Sequence, residues 1–372
     1  MDRLIDLCNI QYGYAFDSSN FTDDESYLPL VRIRDVKRGF SETYYSGEYP
    51  EEYVIHAGAL LIGMDGEFNI ARWKSRSALL NQRVCRIIAK ENTDEEYLRF
   101  ALVKALKEVE QKTAFVTVKH LSAKELNKMT LNVPSYKEQK RISEILARIE
   151  KLITIYKEEL NQFDILIKSR FVEMFGDLKS NTKGWDIKTF DELTSLITDG
   201  EHATPRRVEE GIYLLSARNV LNHSLQLDDV DYIDQEEYDR IAKRVVPQEG
   251  DILISCSGTV GRCCSVPAGI KFQMVRSAAL LRFMEEINPI FAEYMITSDY
   301  LQEQINSSKT ASSQANLFQG KVKALKGFVP PKKLQDDFLA FVHQTDKLKV
   351  AVQKRLTETQ LLFDSLMQQY FG

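Results

Sequence analysis

The sequence is short of most features that would give its function away directly. No apolar run in its 372 residues reaches the length of a bilayer. The opening residues MDRLIDLCNI lack the apolar core of a secretory signal. The expectation is a cytoplasmic protein without a membrane partner. The five cysteines (Cys8, Cys85, Cys256, Cys263 and Cys264) form no C-x-x-C pair and sit beside no histidine set, which argues against a zinc site. Adjacent Cys263 and Cys264 read as small, semi-buried residues of a reduced compartment rather than a redox pair. The histidines at 56, 120, 202, 223 and 343 show no ligand spacing. There is no excess of positive charge either. The net charge is −5, which taken alone does not favour a nucleic-acid partner, although a local basic face can bind phosphates while acidic surface lies elsewhere.

Catalytic signatures are missing as well. No G-x-x-x-x-G-K-[ST] loop occurs; GTVGR (258–262) lacks its spacing and its lysine and reads as a tight turn between strands. NPIF (288–291) lacks the second proline of the N-P-P-F motif of adenine methyltransferases and reads as a helix cap. Neither G-x-S-x-G nor H-E-x-x-H is present. The expectation is a chain that catalyses nothing by itself and binds no cofactor or metal.

What the sequence does contain is a repeat. KSRFVEMFG (168–176) is echoed by DSLMQQYFG (364–372), so that Ser169, Phe175 and Gly176 recur as Ser365, Phe371 and Gly372. At the same offset of 196 residues, Val133-Pro134 meets Val329-Pro330, Gln139 meets Gln335, and Lys151-Leu152 meets Lys347-Leu348. Upstream the offset drifts. AGALLIGMDG (57–66) lies over EGDILISCSG (249–258), and LVRIRDV (30–36) over LLSARNV (214–220). Drift of this kind means loop insertions between corresponding elements, so the chain is two copies of a variable globular part followed by a helical part.

The helical parts follow from periodicity. Between Tyr136 and Phe175 there is neither proline nor glycine, and apolar residues fall at Ile142, Ile145, Leu146, Ile149, Ile153, Tyr156, Leu160, Phe163, Ile167, Phe171 and Met174. Steps of three and four predict one stripe on one long helix, with Pro134 before it and Gly176 as its stop. The second copy predicts a helix from about Leu334 to Phe371 with a stripe of Phe338, Phe341, Leu348, Val352, Leu356, Phe363, Leu366 and Tyr370. At ~1.5 Å per residue each helix spans about 55 Å, and such a stripe must be buried against a partner. The other copy is the nearest partner, which gives an antiparallel pair.

The globular parts read as α+β. GALLIG, RVCRII, GDILIS and ALLRF are strand-like, while 94–111 and 288–305 are helical in pattern. Basic and amide-bearing clusters sit in loop-like places in both copies. The first holds RIRDVKRG (32–39), ARWKSR (71–76), NQR (81–83) and VKH (118–120); the second holds PRR (205–207), SARN (216–219), GTVGR, VRS (275–277), SSQAN (312–316) and KVKALK (321–326). Arginine and lysine can hold phosphates, arginine can grip guanine, and Asn or Gln can grip adenine. The candidate DNA contacts are Arg32, Arg34, Lys37, Arg72, Lys74, Arg76, Lys119 and His120 in the first copy, and Arg206, Arg207, Arg218, Asn219, Arg262, Arg276, Gln314 and Asn316 in the second.

These residues carry a family likeness. VPSYKEQKRISEILARIEKL, KSRFVEMFGD, GWDIKTFDELTSLITDGEHATP, GDILISCSGTVG and TASSQANL, in this order and in two copies, resemble the specificity subunits of type I restriction–modification enzymes. The first copy lacks a counterpart of Trp185, and the second helix opens with Lys332-Lys333-Leu334-Gln335 where the first has Tyr136-Lys137-Glu138-Gln139. The resemblance implies two β-rich α+β target-recognition domains, at 1–133 and 177–328. They would be separated by helical spacers at 134–176 and 329–372 that pair as an antiparallel coiled coil with internal pseudo-two-fold symmetry. Each domain would read one half of a split, asymmetric double-stranded DNA target. Two methyltransferase subunits would dock on the repeat and nuclease–translocase subunits would join them. S-adenosylmethionine and ATP would bind those partners, and the product would be N6-methyladenine or cleaved DNA. The paired helices would act as a ruler of at most about 16 base pairs at ~3.4 Å each.

Three alternatives stand beside this reading: a targeting subunit for a related system that modifies DNA without restricting it, a coiled-coil scaffold with no DNA role, and an enzyme with an unrecognised site. The loop-borne Arg, Asn and Gln residues count against the scaffold, and the missing motifs count against the enzyme.

Overall fold

The computed structural model describes residues 1–112, 120–308 and 316–372. The chain divides into two compact units, Met1–Lys157 with Lys354–Gly372, and Glu158–Gln353.

In the first unit the alternating apolar runs form strands β1 (Cys8–Tyr12), β2 (Leu28–Val31), β3 (Leu60–Gly63), β4 (Ile70–Arg72), β5 (Ala78–Leu80) and β6 (Val84–Ala89). A four-stranded antiparallel sheet has the order β1-β6-β3-β4. Beside it β2 and β5 pair in parallel, with Leu30 opposite Leu79 and Val31 opposite Leu80. Helix α1 (Glu95–Lys112) covers the sheet, burying Tyr97, Leu98, Phe100, Leu102 and Leu106 in one core with Leu60, Ile62, Cys85 and Ile87. Asp2–Arg3 pairs with Thr130–Leu131, so the module's two ends run side by side.

The second unit repeats this plan with β7 (Thr194–Asp199), β8 (Ile212–Leu215), β9 (Ile252–Ser255), β10 (Cys263–Ser265), β11 (Phe272–Met274) and β12 (Ala278–Phe283). The sheet order is β7-β12-β9-β10, and β8 pairs in parallel with β11. Each strand therefore corresponds to the one numbered six lower. Asp186–Thr189 pairs with Lys326–Val329 at the module's ends. The GTVGR stretch is the turn between β9 and β10, with Gly258 and Gly261 at positive φ. The helical pattern over 288–305 resolves into two helices, Pro289–Thr297 and Asp299–Ser308, broken at Ser298, whose backbone is extended. Asn288 caps the first of them, its Oδ1 accepting from Ile290 N at 2.9 Å.

The long helices are α2 (Tyr136–Phe175) and α3 (Lys332–Phe371), each of 40 residues and about 60 Å at ~1.5 Å per residue. Gly176 ends α2 in the left-handed conformation, its N–H on Val172 O at 2.8 Å. The stripe of α2 is buried or half-buried at every expected position. In the first unit Ile142 and Leu146 pack in one cluster with Phe363, Leu366, Met367 and Tyr370. In the second, Phe171 and Phe175 meet Phe338 at ring distances of 5.4 and 5.6 Å. Rising numbers on α2 meet falling numbers on α3, so the pair is antiparallel. One expected stripe position on α3 is corrected: Leu348 is exposed, and the buried line runs through Phe338, Val342, Thr345 and Val352.

The five cysteines are free and buried. Burial pushes the Cys8 thiol up to about 11 and the Cys85, Cys256 and Cys264 thiols to about 12, and raises Cys263 well above its ordinary value. Thiols held this way are poor nucleophiles at neutral pH.

Candidate nucleic-acid interface

Both units build the same small platform. Between β5 and β6 the chain turns through Asn81-Gln82-Arg83, closed by Val84 N donating to Asn81 O at 2.9 Å. Between β11 and β12 it turns through Val275-Arg276-Ser277, closed by Ala278 N donating to Val275 O at 3.0 Å. A glycine lies beneath each turn. Gly13 N donates to Val84 O, and Gly200 N to Ala278 O, both at 3.0 Å. A Cβ at Gly13 would stand 2.0 Å from Asn81 O, and one at Gly200 would stand 2.3 Å from Val275 O, so only glycine fits either place. The next residue repeats the pattern: Tyr14 N donates to Leu80 O at 2.9 Å, and Glu201 N to Met274 O at 2.8 Å. Alongside, Met64 N takes Arg83 O at 2.9 Å and Cys256 N takes Ser277 O at 2.7 Å.

In the first unit this turn borders an open cleft of ≈ 470 Å³, where Arg32, Arg34, Asn81, Gln82 and Arg83 face Phe16 and Phe21. The sequence cluster at 32–39 and the NQR cluster thus come together. Asp35 is fully buried and accepts from Arg32 N at 3.0 Å, which fixes the loop carrying Arg32 and Arg34. Among the described residues Arg34 reaches only Thr43 Oγ1 at 3.4 Å and Asp35 at 3.7 Å and stays exposed. Lys74 is exposed, and Lys37 lies 3.7 Å from Glu67. His120 Nδ1 engages Asp65, which Arg83 also approaches at 3.4 Å.

Other candidates in this unit are committed to the fold. Arg72 bridges Glu95 at 2.8 Å and Glu96 at 2.7 Å and caps Gly58 O at 2.8 Å. Arg76 holds the carbonyls of Glu25 and Tyr27, the latter at 2.8 Å.

In the second unit Arg218 occupies the place of Arg34. It pairs with Asp231 at 2.9 Å, and Arg207 takes the other oxygen of Asp231 at 2.9 Å. Partial burial would raise the Asp231 carboxyl, but these two guanidiniums hold it below the usual carboxylate range. Arg206 spans Asp234 and Glu236, both at 2.8 Å. These pairs are exposed, and exposed pairs are weak enough to exchange for phosphate. Arg262 is half-buried and spends Nη2 on Ala217 O at 2.8 Å. Arg276 is exposed.

Asn219 is a correction. It is fully buried: its Oδ1 accepts from Ser216 N at 2.9 Å, and its Nδ2 donates to Gln226 O and Asp229 O, both at 2.9 Å. It is the structural counterpart of Asp35, a cap that shapes the loop, and is not available to DNA. Asn316 meets Ser257 Oγ at 2.8 Å, just as His120 meets Asp65 in the other copy. Lys119 and Gln314 lie outside the described residues. Gln82, which belongs to the NQR cluster but not to the candidate contacts, lines the same cleft, and sliding NQR onto VRS places it on Arg276.

A family model described as the type I restriction modification DNA specificity domain matches residues 1–163. Over 405 residues the chain is 30% identical to the type I restriction enzyme EcoBI specificity subunit of Escherichia coli, across 98% of this chain and 84% of that protein. The chain belongs to the type I restriction–modification specificity subunits. Among solved structures of such subunits, the one from M. genitalium superposes with a TM-score of 0.61 at 15% identity, covering 100% of this chain and 95% of that one. A chain from a study of complex assembly and conformational transition of the type I R–M system superposes with 0.55 at 16% identity, over 99% and 96%. Those likenesses bear on the fold: two α+β modules and an antiparallel helix pair. Among the described residues of this specificity subunit, no helix is long and apolar enough to cross a membrane.

Proposed function

We propose that this chain is the non-catalytic targeting subunit of a cytoplasmic complex that methylates adenine N6 and cleaves unmodified DNA. Residues 1–133 and 177–328 each read one half of a split double-stranded target, with 134–176 and 329–372 as the spacers between them. The observation that carries this reading is the repeated platform. Two backbones that share four platform hydrogen bonds present different side chains at matched places: Arg32 and Gln82 in one, Ser216 and Arg276 in the other. Like scaffolds with unlike readers suit a target whose two halves differ.

The repeat also supports two similar docking surfaces. Leu152, Leu361 and Leu362 are exposed in the first unit, and the residues at matched positions, Leu348, Ile165 and Leu166, are exposed in the second. Apolar side chains left in water at matched positions suit two copies of one partner. We assign them to two methyltransferase subunits, with nuclease–translocase subunits joining that core. S-adenosylmethionine and ATP are then ligands of those partners.

Methylome sequencing of a host with and without this gene tests the reading. The expected result is loss of one split, asymmetric N6-methyladenine motif. An unchanged methylome, together with no sequence-selective DNA binding by the purified complex, would leave a scaffold role instead.

A further inference from the structure

A side chain that reads a base needs a rigid backbone beneath it and donors or acceptors not already spent inside the protein. Most exposed cations near the platforms fail the second condition. Arg83 engages Asp65, Arg218 and Arg207 engage Asp231, Arg206 engages Asp234 and Glu236, and Arg240 engages Glu237.

Gln82 and Arg276 meet both conditions. Each is the second residue of its tight turn, and the closing bonds are 2.9 Å at Val84 and 3.0 Å at Ala278. The backbone N–H of each is tied down, Gln82 N to Asn81 Oδ1 at 2.8 Å and Arg276 N to Glu201 O at 3.0 Å. Gly13 or Gly200 packs against the carbonyl just before it. Both residues are exposed, and among the described residues neither side chain has a hydrogen-bond or ion-pair partner. Gln82 also stands at the rim of the cleft that holds Arg32 and Arg34.

We infer that this turn residue is a specificity-determining position in each module: the Gln82 amide selects an adenine in one half-site, and the Arg276 guanidinium selects a guanine in the other. The chemistry is that of paired hydrogen bonds in the major groove. The amide accepts from adenine N6–H and donates to N7, while the guanidinium donates to guanine O6 and N7. The inference rests on the DNA-targeting reading above and adds a residue and a base class to each half-site.

The test uses the full-length chain expressed with its methyltransferase partner, as wild type and as Gln82→Ala, Gln82→Arg, Arg276→Ala and Arg276→Gln. The host methylome gives the motif, and binding of each purified complex to a pool of random-sequence duplexes gives the preference at every position. Gln82→Ala should relax one A·T position of one half-site, with roughly ten- to hundredfold less discrimination there. Gln82→Arg should move that position toward G·C and leave the other half-site unchanged. Arg276→Ala and Arg276→Gln should act only on a G·C position of the other half. A uniform loss of affinity with the motif intact, and a salt slope reduced by about one, would make these side chains phosphate contacts and overturn the inference. Changes in both half-sites from a single variant would overturn it too. If the wild-type complex shows neither a motif nor selective binding, the targeting reading itself fails; an intact wild-type motif that all four variants leave unchanged sinks this inference alone.

Discussion

The side-chain oxygen of Gln335 accepts a 2.8 Å hydrogen bond from the backbone N–H of Asn288, and its Nε2 donates to Pro330 O at 2.8 Å and Glu286 O at 3.0 Å. Gln139 makes the same three-point clasp to Asp94 N at 2.9 Å, Pro134 O at 2.9 Å and Asn92 O at 3.3 Å. Both glutamines are buried. The second spacer lacks the glutamate of the first, yet the glutamine that fastens helix to module is retained. Gln139→Ala or Gln335→Ala strands one N–H and two carbonyls, and each should lower stability by about 2–3 kcal/mol. Urea unfolding of the two variants checks this; a loss below about 0.5 kcal/mol for either would mean that the clasp is incidental.

Gly13→Ala and Gly200→Ala drive a methyl group into the carbonyl of Asn81 or Val275. Overpacking of this kind costs typically ~1–3 kcal/mol, and the turn above must shift. The expected outcome is a folded protein whose recognition fails in one half-site only, a different one for each variant. Binding to duplexes altered in one half at a time reads this out. Equal impairment at both halves would contradict the assignment of one platform to each half.

Arg34→Ala should weaken binding by ~1–3 kcal/mol at a single position of one half-site, whereas Arg218→Ala, whose guanidinium is held by Asp231, should weaken binding evenly across sequences of the other half, as loss of a phosphate contact does. Single-substitution duplexes measure it. Loss of soluble expression in either variant would show that the arginine holds its loop rather than DNA.

Acid should loosen the first unit through Glu96. Burial alone would raise its carboxyl, but the hydrogen bonds and charges of Arg99 and Arg72 outweigh that and hold it below the usual glutamate range. A depressed carboxyl stabilises the fold fully above its unfolded-state pKa of about 4.3, and that contribution is lost as pH falls through the folded value. Arg72→Met should therefore flatten the acid limb of stability measured from pH 7 down to pH 3. An acid limb as steep as that of the wild type would remove Arg72 from the account.

The repeat, the long helices and the main strands were legible because they rest on periodicity and on glycine and proline, which act locally. Leu348 was misplaced on its stripe because steps of three and four leave a choice that only the facing helix settles, here in favour of Thr345. The helix break at Ser298 carries neither proline nor glycine and gave no warning. The candidate interface was legible as clusters but not as free or committed side chains. Arg72 is spent on Glu95 and Glu96, and Arg206 on Asp234 and Glu236; these partners lie too far along the chain for spacing to reveal them. Asn219 looked like a DNA contact because its burial rests on the carbonyls of Gln226 and Asp229, whose positions only the fold defines.

The pairing of Asp2–Arg3 with Thr130–Leu131, and of Asp186–Thr189 with Lys326–Val329, gives each module a single doorway. The chain enters and leaves on neighbouring strands, so a cut through that doorway severs no sheet, and what it must preserve is the apolar face that meets Ile142 and Leu146 in one unit and Phe171 and Phe338 in the other. Pieces with adjoining ends are the ones that tolerate grafting. A gene built this way can trade one reader for another by recombining just outside the doorway, and acquire a new half-target in a single event while its helices carry on unchanged and their glutamines clasp the matching backbone groups of the incoming module.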